Sequence, residues 1–299
     1  MPGALLHIED AVRSGPKSSA TFVFADGSRL LLSANSHLIL DVIRAYGETG
    51  MVDSRIRLKN GGLDTDVSPQ AGSGSRFEIH TPGAITAVRG TRLRVANDTE
   101  RQVASTEVLK GRVEVMAAGE VESVPAGFGT VVKMGEPPSV PRVLLQAPAL
   151  SGLPATMNQL PLHFIWPALS DANRYRIQLS ENEDFTLLNL DVTVEKPELL
   201  LSDFPNGSYA LRIRGIDDAG LEGFDAVHHF LLDVPPPKVM PPAVLSEPPT
   251  FLNPPPAVVA APSRLNLETA VIKNAHLQIR WRGGKADERY QVELAEDMS

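Results

Sequence analysis

Apolar and polar residues alternate one by one along much of the chain. In GRVEVMA, from Gly111, Val113 and Val115 fall on one side while Arg112 and Glu114 fall on the other. In GTRLRVA, from Gly90, Leu93 and Val95 oppose Arg92 and Arg94. A period of two belongs to a β-strand with one face inward and one outward. GSRLLLS from Gly27, GGLDTDV from Gly61 and GTVVKMG from Gly129 share this grammar, and the leading glycine reads as a turn residue heading each strand. Ser19–Phe24, Leu38–Ile43, Arg55–Leu58 and Arg76–Ile79 are further predicted strands. Nothing in residues 1–137 has the period of a long amphipathic helix. The first part therefore reads as an all-β domain, either a solenoid-like stack of hairpins or a jelly-roll-like sandwich.

The alternation resumes at Leu162. Leu162, Phe164 and Trp166 share a face, as do Tyr175, Ile177 and Leu179 on the next strand, with Arg174, Arg176 and Gln178 outward. Tyr209, Leu211 and Ile213 point in while Arg212 and Arg214 point out, and strands at Leu187–Val194, Glu198–Ser202 and His228–Val234 complete about six. The opening phrase recurs. LHFIWPALSDANRYRIQLSE from Leu162 matches LQIRWRGGKADERYQVELAE from Leu277, each with a Trp followed nine residues later by a Tyr: Trp166 with Tyr175, then Trp281 with Tyr290. A repeated strand–turn–strand phrase predicts repeated small β modules, the second cut short at Ser299. The four aromatics are read as sandwich core.

Between the repeats, residues 235–256 hold ten of the 25 prolines, which fix φ and cannot donate to a ladder, so this stretch reads as an extended spacer. The predicted partition is a first domain over 1–137, a linker over 138–160, a sandwich over 161–234, a Pro-rich linker over 235–263 and an incomplete second sandwich over 264–299. A lone hairpin is marginal in water, so the last piece is expected to be unstable alone or to borrow a surface.

Composition narrows the picture. A formal net charge of -8 argues against a general nucleic-acid binder. The absence of cysteine removes disulfides, thiolate zinc sites and thiol catalysis. No apolar stretch reaches membrane-spanning length, and the opening MPGALLHIEDAVRSG lacks the parts of a signal peptide.

The run RFEIHTPGAITAVRGTRLRVA from Arg76, with the glycine-headed strand at Gly111 and the PAGFG turn from Pro125, resembles a FecR domain over roughly residues 8–135. The features that carry it are Thr81-Pro82 leading to Val88-Arg89-Gly90-Thr91. The resemblance implies a bacterial, extracytoplasmic β domain, periplasmic or in the cell envelope. The module from Leu162 resembles a fibronectin type III domain, with GIDDAGLEG from Gly215 as the connection before its last strand. Together these imply a non-enzymatic modular envelope protein that binds or scaffolds, with an envelope protein or peptidoglycan as partner. The alternative is the extracytoplasmic sensor part of a FecR-type sigma-factor signalling system, relaying a signal from an outer-membrane receptor.

No catalytic, cofactor or metal site is read from the residues. The seven histidines form no ligand motif, and His228 and His229 are neighbours on a strand and face opposite sides. Asp217, Asp218 and Glu222 cluster in a turn without the alternating spacing of a calcium loop. GSGS at Gly72 and GGK at Gly283 are not phosphate loops. Arg89 has two readings: a pin for two turns through its guanidinium fork, or a partner contact.

Overall fold

The computed structural model describes residues 8–16, 18–24, 26–46, 51–69, 75–235, 266–273 and 276–282, the last two as backbone only. Among the described residues there are strands and turns and no helix. The first unit comprises β1 (Ala11–Arg13), β2 (Ala20–Val23), β3 (Arg29–Leu32), β4 (His37–Tyr46), β5 (Met51–Asp66), β6 (Arg76–His80), β7 (Ile85–Val88), β8 (Arg92–Asp98), β9 (Val103–Lys110), β10 (Arg112–Ala117), β11 (Glu120–Pro125), β12 (Phe128–Lys133) and β13 (Arg142–Val143). The second comprises β14 (Thr156–Met157), β15 (Leu162–Ile165), β16 (Arg174–Ser180), β17 (Leu190–Val194), β18 (Glu198–Leu201), β19 (Gly207–Ile216) and β20 (Ala226–Leu232). β21 (Asn266–Lys273) and β22 (His276–Arg282) follow.

Two sheets build the first unit, and β5 belongs to both. Its first half pairs with β4 and, in parallel, with β6; its second half pairs with β3 and β8. One sheet runs β1-β4-β5-β6-β7-β10-β11, the other β2-β3-β5-β8-β9-β12-β13. The predicted turn at Gly61 is therefore a correction: Gly61 lies inside a strand of 16 residues that also contains the predicted strand Arg55–Leu58. Glycine is required there for a different reason. Its φ is +90°, and a Cβ would stand 2.0 Å from the Ser36 hydroxyl oxygen. The strand passes from one sheet to the other here, and only a residue without a side chain clears Ser36.

The inward rows of both sheets meet in one core containing Phe22, Leu30, Leu40, Ile56, Phe77, Leu93, Val108, Val115 and Val124. In the second unit, a five-stranded sheet in the order β14-β20-β19-β16-β17 and the pair β15-β18 enclose a separate core. Phe164 and Phe230 meet edge-on there, as do Trp166 and Tyr175. Residues 138–160, read as a linker, follow an ordered path: Leu144 is buried against the first unit's Gly129, β14 pairs in parallel with β20, and Leu150 enters the second core.

β21 and β22 form a hairpin, and β21 pairs in parallel with β2 at Phe22–Ala270 and Val23–Val271. The Pro-rich stretch from residue 236 to 265 lies outside the described residues. No helix among the described residues is long and apolar enough to cross a membrane.

Candidate functional site

Alternation alone assigns the polar row of a strand to water. On the five-stranded sheet that row is Arg176 and Gln178 on β16, with Arg212 and Arg214 on β19 directly opposite. Here the row is covered. It lies against the outer row of the first unit's second sheet, where Asp64 on β5, Arg94 on β8 and Glu107 on β9 face it. Arg94, Arg212, Arg214, Glu107 and Gln178 are all buried. The two units are thus joined by an ionic layer in which four arginines face five carboxylates.

The contacts are specific. Arg94 donates through Nη1 to the Gly223 carbonyl at 2.9 Å and through Nη2 to Asp225 Oδ2 at 2.7 Å, crossing from the first unit to the second. Arg214 donates to the other oxygen of Asp225 at 3.0 Å and, through Nε, to Glu222. Arg176 holds Asp191 with two parallel bonds of 2.8 and 2.7 Å and reaches Glu222 at 3.1 Å. The Gln178 carbonyl oxygen accepts from Arg212 Nε at 2.9 Å and from Arg214 Nη1 at 3.1 Å. Arg212 pairs with Asp64 at 3.3 Å and lies 4.4 Å over the Phe185 ring. Planar guanidinium forks make such a layer possible, since one side chain can satisfy two acceptors at fixed angles. A small apolar patch of Leu31, Phe185, Leu188 and Ala210 flanks the layer.

Burial and neighbours set the protonation of the layer. Burial raises the Glu107 carboxyl, and the charge of Glu222 raises it further; Arg94 and the Ser105 hydroxyl pull back, leaving it pushed up to about 7. Burial also works against ionisation of Glu222, but Arg214, Arg176 and Arg94 outweigh it and hold that carboxyl at about 2. Asp225 is held well below the usual carboxylate range: burial opposes ionisation, and Arg94, Arg214 and Arg212 overcome it. With Glu107 protonated, four arginines balance four carboxylates.

Sequence reasoning missed this layer. A signal for it exists in the paired RLR, RYR and LRIR phrases at Arg92, Arg174 and Leu211, opposite the acidic run GIDDAGLEG. That run disperses. Asp217 accepts from the Leu221 amide at 2.8 Å and shapes the turn, Asp218 pairs with Arg142, and Glu222 enters the layer. Among the described residues no group of three His, Cys, Asp or Glu side chains is arranged to hold a metal. Four of its five carboxylates, Asp64, Asp191, Glu222 and Asp225, are paired with arginines, and the contacts of Arg94 and Arg212 cross between the units.

The residues singled out from the sequence lie on another face. Thr81 and Pro82 form the β6–β7 turn, where the Thr81 hydroxyl accepts from the Ala84 amide at 3.0 Å. Val88 is in the first core. Gly90, at φ +71°, carries the chain past Pro69; a Cβ there would come within 2.8 Å of Pro69 Cα. Thr91 is buried and donates to the Arg112 carbonyl at 3.1 Å. Arg89 is exposed and pairs with no other described residue. Trp166 and Tyr175 are buried with their rings 5.5 Å apart. Trp281 lies on β22, and Tyr290 is outside the described residues.

The FecR protein family model matches residues 10–114, so the chain carries a FecR domain over that segment. No curated protein matches the chain. Among solved structures, a candidate anti-sigma factor from Parabacteroides distasonis is similar at 17% identity and a TM-score of 0.37, over 44% of this chain and 59% of that one. The extracellular domain of a candidate hybrid two-component system from B. thetaiotaomicron is similar at 10% identity and a TM-score of 0.21, over 69% of this chain and 38% of that one. The chain thus spans well under two thirds of the length of either.

Proposed function

From the premise of a FecR domain over residues 10–114, we propose that this chain is the extracytoplasmic sensor part of a FecR-type signalling system, relaying a receptor's state toward a sigma factor. The family match carries this reading, and it favours a signalling part over the envelope scaffold and peptidoglycan contact that the modular layout first suggested. The second unit, read as fibronectin type III-like, serves as a fixed partner module rather than a catalytic one. The ionic layer supports that role, because a sensor must pass a displacement from one module to the next without slack. We read the chain as non-enzymatic and as working outside the cytoplasm.

Deleting the gene in its host and sequencing the transcripts tests this. Altered transcription of a defined sigma-dependent set is expected. Unchanged transcription, together with retention of the purified chain on peptidoglycan sacculi, would return the weight to scaffolding.

A further inference from the structure

The outer face of the sheet containing β6, β7, β10 and β11 is ordered in rows. Val88 pairs with Phe77 on one side and Val113 on the other, so the next position, Arg89, stands between Arg76 and Arg112. Strand spacing puts neighbouring members of this row about 5 Å apart. The second row is Glu78, Ala87, Glu114 and Ser123, and the third is His80, Ile85, Met116 and Val121. An open groove of 760 Å³ runs over the first two rows, its floor lowered by the small Ala87 side chain between longer neighbours.

The charges in the groove do not cancel. Arg76 pairs with Glu78 at 3.3 Å, and His80 also meets Glu78 at 2.8 Å, so that carboxylate is taken. Among the described residues, the Arg112 guanidinium has only the Ser123 hydroxyl at 3.1 Å, and Arg89 has no paired side chain. Two guanidiniums therefore stand against the single carboxylate of Glu114. On a chain of net charge -8, this is a local cationic spot. It ends in an apolar row, where Val121 is 59% exposed.

We propose that this face is a docking surface for a segment of another protein that presents carboxylates to Arg89 and Arg112 and an apolar side chain to the Ile85–Met116–Val121 row. Guanidinium forks suit carboxylates, and complementary charge sets the register of such a contact. A phosphate polymer fits less well, because it has no apolar group to offer the Ile85–Met116–Val121 row. The surface extends the signalling reading but stands without it: failure of the transcription test leaves this selection unaffected.

The test is selection of a phage-displayed random peptide library on the immobilised full chain, with Arg89→Glu and Arg112→Glu as separate counter-targets. Both positions are exposed, and matching thermal unfolding of each variant confirms the fold. The expected peptides interleave Asp or Glu with apolar residues. Each charge reversal should weaken them by about tenfold or more, while Arg89→Lys keeps most of the binding. Selected peptides without acidic residues, or peptides that bind the reversed variants as tightly as the unaltered chain, would overturn the proposal. So would tight binding of a short single-stranded oligonucleotide to the same face.

Discussion

Glu107 and Glu222 meet across the seam between the two units with their proton affinities driven apart: the Glu222 amide donates to Glu107 Oε1 at 3.4 Å, yet one carboxyl is raised to about 7 and the other lowered to about 2. The difference lies in their cations. Glu222 is bonded to both Arg176 and Arg214, whereas Glu107 has a hydroxyl and a backbone amide and feels Arg94 at longer range. Burial first and the Glu222 charge second raise Glu107, which has no bonded arginine to offset them.

This pairing predicts the pH dependence. Glu107 has a folded value above its ordinary 4.5, so the folded state holds the extra proton and stability falls as pH rises from about 4.5 to about 7. Glu222 is shifted down, so its contribution is present above 4.5 and is lost as pH falls toward 2. Glu107→Gln should remove the decline on the alkaline side and leave the acid side intact. At pH 8 it should be more stable than the parent by up to the order of 3 kcal/mol. Urea unfolding across this pH range is the check; an undiminished decline in the variant would count against the assignment.

Truncating Arg94 should separate the units energetically. Arg94→Ala leaves Asp225 short of a cation inside a buried layer, a change that typically costs about 3–5 kcal/mol. Because each unit has its own core, the loss should appear in calorimetry as division of the unfolding endotherm into two. Asp225→Leu should not rescue Arg94→Ala, because Asp225 also serves Arg214 and Arg212, whereas Arg94→Lys, which keeps a cation beside Asp225, should lose less.

Gly90→Ala should destabilise the first unit by about 1–3 kcal/mol, since φ is +71° and the added methyl meets the backbone of Pro69. Denaturant unfolding measures this. The neighbouring Ala87→Gly, on an exposed strand face, should cost less.

Tyr175→Phe should cost about 1 kcal/mol, because the Leu169 amide donates to the Tyr175 hydroxyl at 2.8 Å and would lose that acceptor. The ring contact with Trp166 survives the change, so the tryptophan emission maximum should stay where it is. A red shift would show that the hydroxyl, not the ring, positions the indole.

Strands were legible wherever alternation met a turn signal. β8, β10, β16 and β19 stand where Leu93, Val113, Ile177 and Leu211 put them. Two things were hidden. Gly61 looks like a turn because glycine marks both turns and places where backbones crowd, and only the proximity of Ser36 tells these apart. Arg176, Arg212 and Arg214 look solvent-facing because a period of two separates polar from apolar faces without saying what covers the polar one. That information lies in Arg94 and Asp64, more than a hundred residues away from Arg212.

The sharing of β5 gives the molecule a built-in lever. Asp53, beside Arg76 at the groove end, and Asp64, in the ionic layer, stand on one unbroken run of backbone. A tug on β6 therefore reaches the seam in two steps, across the β5–β6 ladder and then along the backbone of β5 past Gly61.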